Sequence, residues 1–172
     1  AIVITVLLGF QVRTVNAQDK LYHDTFPSKD VVLTDGPFKH ARDLNIRTLL
    51  QYDVDRLLAP YRKEAGLPAK ATGFPNWDGL DGHVGGHYLS AMAMNYAATG
   101  NKTCKKRMDY MIAELKACQD ANALKYPDWG VGYVGGVPGS EGLWPKIKAG
   151  DISVIWRYWV PWYNVHKMYA GL

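Results

Sequence analysis

The strongest constraint on the fold is a pair of helical patterns separated by only two residues. The first runs from about residue 87 to 99 and carries apolar side chains on every side, which predicts a helix that is buried all round. The second runs from about residue 102 to 120 and has an apolar stripe opposite lysines and glutamates. Because only Gly100 and Asn101 connect them, the two helices are expected to pack as an antiparallel hairpin.

Helical spacing on either side of this hairpin predicts further helices. Apolar residues at three- and four-residue intervals predict one long helix from Ile46 to Tyr61, which Pro60 should end or kink. A short helix is expected over about residues 143–149, and Pro161 is well placed as the first residue of a last helix.

A buried helix that alternates with an amphipathic one is the pattern of an α/α toroid, in which outer helices cover inner ones. The connections over residues 68–86 and 122–140 are long and contain many glycines and aromatic residues, as functional loops often do. An (α/α)6 toroid consists of six hairpins, and this sequence holds two at most. We therefore predict an all-α fold, the N-terminal part of an (α/α)6 toroid, with a short β-prone segment at Val31-Val32-Leu33 before the first helix.

The N-terminal residues have the features of a secretion signal. Residues 1–10 are apolar throughout, and Val15-Asn16-Ala17 fits a small-residue cleavage site. Ten apolar residues are too few to span a bilayer, which takes about 20, so no stable membrane insertion is expected. We expect a signal peptide over residues 1–17 that is truncated at its start, and export to the periplasm or the cell exterior. The alternative for the apolar run is a buried first strand.

Residues 18–172 are expected to form an incomplete domain, because the sequence stops within a helical pattern.

The distribution of charge does not favour a nucleic-acid partner. The net charge of +4 is spread along the chain, and the densest basic run, residues 102–107, lies on one face of a predicted helix. Nucleic-acid-binding proteins usually concentrate charge in a larger patch with base-stacking groups. We therefore expect a solvated helix face and no nucleic-acid binding.

Cys104 and Cys118 lie fourteen residues apart on one face of the predicted amphipathic helix. A helix places them ~21 Å apart along its axis, whereas a disulfide requires Cα atoms within roughly 7 Å of each other. They cannot pair in an intact helix, and two cysteines cannot supply a four-ligand zinc site. We expect buried free thiols, with a partner cysteine outside this sequence as the alternative.

A first group of candidate binding residues surrounds Gly82-His83-Val84-Gly85-Gly86-His87-Tyr88. Glycines beside a helix start allow a ligand to approach the backbone, and a helix N-terminus offers free N–H groups. His83 and His87 would share a face if both were helical, but the acidic residue of the HExxH zinc motif is absent. The two glycines also argue against a helix start before His87. A ligand contact, a structural or capping role and a metal site all stay open.

A second group is aromatic and lies near the end of the sequence. It contains Trp159, Trp162 and Tyr163, followed by His166 and Lys167. Sugars present apolar C–H faces and fixed hydroxyls, so stacking rings beside hydrogen-bonding side chains form a suitable site. The same aromatic residues could instead build a core.

Several short motifs follow one another in the order of a known enzyme family. The most specific combines Gly82-His83 with residues 86–91. The others are residues 33–38 with Asn45, residues 55–58 and 65–67, Cys118-Gln119, Gly132-Tyr133, and residues 159–163 through His166-Lys167 to residues 170–172. Together they resemble the opening of the β-L-arabinofuranosidase superfamily, glycoside hydrolase families 127 and 146, formerly a domain of unknown function. The resemblance spans about residues 30 to 172.

This resemblance implies a retaining exo-hydrolase that releases L-arabinofuranose from plant cell-wall glycans. Its partners would be arabinose-containing oligo- or polysaccharides. Its fold would be an (α/α)6 barrel followed by β-sandwich domains. The family's nucleophile is a cysteine thiolate held by zinc, with further cysteines and a glutamate as ligands; a zinc-bound thiol is deprotonated at neutral pH. Those residues have no counterpart in this sequence. We therefore expect zinc as a cofactor of the full-length enzyme, no catalytic residue or metal ligand here, and an inactive fragment.

The resemblance also implies that part of a sugar subsite is present. The residues concerned are His166, His87, His83, Trp162 and Tyr163.

Glycosidic bond cleavage usually takes an acid and a second carboxylate or other nucleophile. Five loop carboxylates are candidates, but their spacing marks no catalytic pair; they are Asp78, Asp81, Asp128, Glu141 and Asp151.

Two other functions stay open. One is a non-catalytic secreted carbohydrate-binding module built on helical hairpins. The other is a different α/α-toroid enzyme, such as a polysaccharide lyase or a sugar epimerase.

Overall fold

The computed structural model describes residues 26–75 and 81–172, and within them every regular element is helical. The α-helices are α1 (Pro37–Leu49), α2 (Val54–Glu64), α3 (His83–Thr99), α4 (Lys102–Lys125), α5 (Ser140–Lys148) and α6 (Pro161–Gly171), and the 3-10 helices are Ser28–Asp30 and Ile152–Arg157. The β-prone segment at Val31 is extended but has no strand partner in these ranges. The proposed signal peptide, residues 1–17, lies outside the described residues.

The predicted hairpin of α3 and α4 is confirmed. Gly100 ends α3 in the left-handed conformation (φ 67°), and its N–H donates to the carbonyl of Tyr96 at 2.8 Å. Asn101 then caps α4, because its side-chain oxygen accepts from the N–H groups of Thr103 (2.9 Å) and Cys104 (3.2 Å). The two helices pack against each other. Helix α4 ends at Lys125, beyond the predicted end at residue 120.

The single long helix predicted from Ile46 to Tyr61 is wrong, since the chain forms two helices there. Asp53 causes the break: its carboxylate accepts from the N–H of Asp55 at 2.9 Å and caps the start of α2. Pro60 does not end α2, which continues to Glu64. The apolar spacing continues across the break because both helices cover the same core.

Helix α3 lies at the centre and packs against α2, α4 and α6. It is not buried all round as predicted, because a stripe through Val84, His87 and Met94 faces solvent and Met94 is 70% exposed. The opposite face carries Leu89 and Met92, which are fully buried. No helix in the described ranges is both long and apolar enough to cross a membrane.

Both cysteines lie on the inner face of α4, as predicted. Cys104 and Cys118 are buried and unpaired with each other. Burial raises the pKa of the Cys104 thiol, and it raises the pKa of Cys118 to about 11. Both thiols are therefore protonated at neutral pH.

Helix α5 begins at Ser140, three residues before its predicted start at residue 143. Gly139 precedes it in the left-handed conformation (φ 74°), and the carboxylate of Glu64 accepts from the Ser140 N–H at 3.2 Å. This contact ties the end of α2 to the start of α5. Pro161 is the first residue of α6, as predicted.

Arg107 joins the end of α1 to the hairpin. Its guanidinium donates to the carbonyls of Leu50 (2.6 Å) and Tyr52 (2.5 Å), and to the hydroxyl of Tyr88 (2.9 Å). A cation at a helix C-terminus satisfies carbonyl groups that the helix leaves unpaired.

We expect Arg107→Ala to lower the free energy of unfolding by about 2 kcal/mol, because hydrogen bonds to a charged group typically contribute about 1.5–3 kcal/mol. Urea denaturation measures this directly. Lys106→Ala is the matched control, since Lys106 is exposed beside Arg107 and should change stability by less than about 0.5 kcal/mol. Equal effects of the two substitutions would contradict the assigned role.

Candidate functional site

The two histidines of the first predicted group share one face of α3. The helix begins at His83, one turn earlier than the predicted start at residue 87, and the ring centroids of His83 and His87 are 6.0 Å apart. The earlier start is possible because Gly82 adopts a left-handed conformation (φ 94°). The hydroxyl of Tyr61, which is fully buried, donates to the Gly82 carbonyl and supports this corner.

The two glycines inside α3 lie at close contacts with neighbouring helices, so they serve helix packing. A Cβ at Gly86 would overlap the carbonyl oxygen of Lys167 on α6. A Cβ at Gly85 would lie 2.8 Å from the ring of Tyr61 on α2. These positions lack side chains so that two neighbouring helices can approach α3.

Close packing of α6 brings its polar face beside the histidines. The Tyr163 hydroxyl lies 3.5 Å from Nε2 of His87, and the Tyr163 ring centroid is 5.9 Å from that of His83. Nζ of Lys167 lies 5.0 Å from the centroid of the Tyr163 ring, within the range of a cation–π contact. We refer to His83, His87, Tyr163 and Lys167 as the histidine cluster.

His166 borders the histidine cluster on the exposed side of α6. Partial burial lowers the pKa of His87, and the positive charges of Lys167, His83 and His166 lower it further. The His87 imidazole is therefore neutral at neutral pH. A neutral imidazole has one donor and one acceptor nitrogen, which suits a ligand that carries hydroxyl groups.

Trp162 lies apart from the histidine cluster, although it is adjacent to Tyr163 in sequence. Its ring centroid is 5.2 Å from that of Trp144. With Trp129, Tyr133 and Tyr169 it lines an aromatic cavity of about 460 Å³. Neighbouring residues on a helix point about 100° apart, which separates Trp162 from Tyr163. Of the five predicted site residues, the structure thus brings together His83, His87 and Tyr163, places His166 beside them and directs Trp162 elsewhere.

The candidate carboxylates have different surroundings. Asp81 immediately precedes the Gly82 corner. Burial raises the pKa of its carboxyl group, although the positive charges of Lys63 and His83 act to lower it. Glu141 accepts from the Tyr126 hydroxyl at 2.9 Å.

Two of the other three carboxylates are exposed, and the third is outside the described ranges. Asp151 caps the second 3-10 helix, and its hydrogen bonds to Ser153 lower its pKa. Asp128 is exposed at a loop. Asp78 falls outside the ranges that the structure describes. The carboxylates thus provide no visible catalytic pair among the described positions.

Sequence reasoning missed Asn164. This residue is 1% exposed, and its side-chain amide donates to the carbonyl of Asp81. An asparagine inside an otherwise apolar helix face was the available signal, since a buried polar side chain needs a partner.

The zinc site implied by the family resemblance does not fit this part of the chain. Within residues 26–75 and 81–172, no three His, Cys, Asp or Glu side chains are grouped so that they could hold a metal ion. His83 and His87 lie on α3, whereas both cysteines are buried on α4 with raised pKa values. We assign no zinc ligand to any of these residues.

Comparison with known protein families identifies the family to which the chain is similar. A family model described as "Beta-L-arabinofuranosidase, GH127 catalytic domain" matches residues 30–172, which is most of the chain. The comparison with curated proteins finds no match. The matched region contains the six α-helices α1 to α6 and the whole histidine cluster.

We expect Gly86→Ala to lower the free energy of unfolding by about 3 kcal/mol, because the added methyl group would overlap backbone atoms of α6. Urea denaturation provides the measurement. Gly73→Ala is the matched control: its Cβ would meet Ala59 at 3.4 Å, an ordinary contact, so stability should change little. A Gly86→Ala variant as stable as this control would show that the helices do not depend on this contact.

We expect Lys167→Met to raise the pKa of His87, because the substitution removes a positive charge while keeping a long apolar side chain. The increase should be partial, since burial is the larger cause of the low pKa. NMR titration of the His87 ring protons reports the value. Lys105→Met on α4, where Lys105 pairs with Asp109, should leave it unchanged. A His87 pKa that is equal in wild type and Lys167→Met would rule out the charge contribution.

Proposed function

Because the chain belongs to the family of β-L-arabinofuranosidase GH127 catalytic domains, we propose that it recognises the terminal L-arabinofuranosyl group of plant cell-wall glycans. Membership of this family makes it part of a glycoside hydrolase with a carbohydrate substrate. The observation that carries the proposal is the family match over residues 30–172, which includes the histidine cluster.

The chemistry of the histidine cluster supports a sugar ligand. An L-arabinofuranosyl group presents hydroxyl groups that both donate and accept hydrogen bonds. His87 is neutral at neutral pH, the Tyr163 hydroxyl both donates and accepts, and Lys167 donates. All three lie within one patch on the exposed faces of α3 and α6. We place the sugar against this patch, where His166 at its border also forms a hydrogen bond with it.

We further propose that hydrolysis proceeds with retention, through a zinc-bound cysteine thiolate supplied by residues outside this sequence. Cys104 and Cys118 are unsuited to this role because burial keeps them protonated. On this proposal the 172-residue chain contributes sugar contacts and no bond-breaking group. We also propose that the protein is exported, in keeping with its apolar N-terminal residues.

The binding proposal is tested by titrating the labelled chain with methyl β-L-arabinofuranoside and following its NMR spectrum. We expect saturable chemical-shift changes at His87, Tyr163 and His166. The dissociation constant should be at least about tenfold larger in His166→Ala, which is equivalent to the loss of one hydrogen bond. His40→Ala is the matched control, since His40 is an exposed histidine on α1.

Two results would contradict the proposal in different ways. Equal shifts with methyl β-D-xylopyranoside would show that the site does not recognise arabinofuranose. Release of arabinose by the 172-residue chain itself would show that a bond-breaking group lies within it.

A further inference from the structure

The two halves of the histidine cluster come from different helices, so their separation depends on how α3 and α6 are held together. His83 and His87 lie on α3, and Tyr163 and Lys167 lie on α6. The glycine contact at Gly86 fixes the distance between the helices near Lys167, about one turn beyond His83. A separate contact is needed to fix the distance between the first turns of α3 and α6.

Asn164 provides that connection. It lies in the first turn of α6, beside Tyr163, and its amide Nδ2 donates to the carbonyl of Asp81 at the corner where α3 begins. The orientation of the amide is fixed, because its Oδ1 atom in the same place would face the carbonyl oxygen.

The opposite end of this amide is unpaired among the residues that the structure describes. Asn164 is 1% exposed, and its Oδ1 accepts no hydrogen bond from any of those residues. A buried polar atom without a partner lowers stability. An apolar side chain of the same size would lose the hydrogen bond to Asp81 but would also remove the unpaired oxygen, so the two effects on stability oppose each other.

Two further contacts hold the same corner but come from other elements. The Tyr61 hydroxyl donates to the Gly82 carbonyl from α2. Gly136 in the loop before α5 is so close to Gly82 that a Cβ at Gly82 would lie 2.7 Å from its Cα. Neither contact involves α6, so neither sets the position of Tyr163 relative to His83.

We propose that Asn164 is a positioning residue that sets the separation between the histidines of α3 and Tyr163 of α6. This inference rests on the proposed function, because the separation matters only if the cluster binds one ligand. Asn164 itself lies beneath the cluster and does not touch the sugar.

The test compares Asn164→Leu with Tyr61→Phe in the 172-residue chain. Leucine fills the space of asparagine without the donor or the unpaired oxygen. Phenylalanine removes one hydrogen bond to the corner, while its ring still packs against Gly85. Three quantities are measured: the urea midpoint, the nuclear Overhauser effect between the rings of His83 and Tyr163, and the dissociation constant for methyl β-L-arabinofuranoside.

For Asn164→Leu we expect an unchanged or higher urea midpoint, a weaker Overhauser effect and a dissociation constant about tenfold larger, equivalent to one net hydrogen bond. For Tyr61→Phe we expect a lower urea midpoint, with the Overhauser effect and the dissociation constant as in wild type. The contrast separates positioning from stability.

Two results would overturn the inference. The first is an Asn164→Leu chain that unfolds under native conditions, which would make Asn164 a stability residue. The second is an Asn164→Leu chain with wild-type ring contacts. If the wild-type chain does not bind the arabinofuranoside, the proposed function fails, and the Overhauser effect still decides whether Asn164 sets the geometry.

Discussion

The close approach of α3 and α6 at Gly86 is the constraint on which the rest of the structure depends. With no side chain at this position, the carbonyl of Lys167 lies against the helix backbone. That contact sets how closely α6 approaches α3 near Lys167, which is one of the residues of the histidine cluster. The Gly82 corner and the amide of Asn164 then fix where α3 starts relative to α6. The geometry of the histidine cluster is thus specified largely by residues that do not belong to it.

Much of the fold was predictable from periodicity and capping residues. The apolar stripe of α4, the short Gly100-Asn101 connection and Pro161 each act locally, so their consequences can be inferred from neighbouring residues. The break at Asp53 was missed because the apolar spacing continues across it, and only the capping carboxylate marks the new helix. The early start of α3 was missed because glycines usually weaken a helix, whereas here tertiary packing requires them.

The site was predictable in composition but only partly in geometry. Histidines four residues apart share a helix face once both are helical, so the pairing of His83 with His87 follows from sequence spacing. The direction of Trp162 depends on how α6 is rotated about its axis, which is set by α3 and by Trp144. Neither partner is close to Trp162 in sequence. The role of Asn164 depends on a carbonyl more than eighty residues away, which no local pattern can indicate.

The buried cysteines of α4 have a consequence for the chain in an oxidising environment. Thiol oxidation and disulfide exchange begin from the thiolate, and burial disfavours the thiolate at both positions. An oxidant reaches either sulfur only when α4 moves away from the helices that cover it. The rate at which these cysteines react is therefore set by how often α4 separates from the helices that cover it, and this rate measures local unfolding of α4.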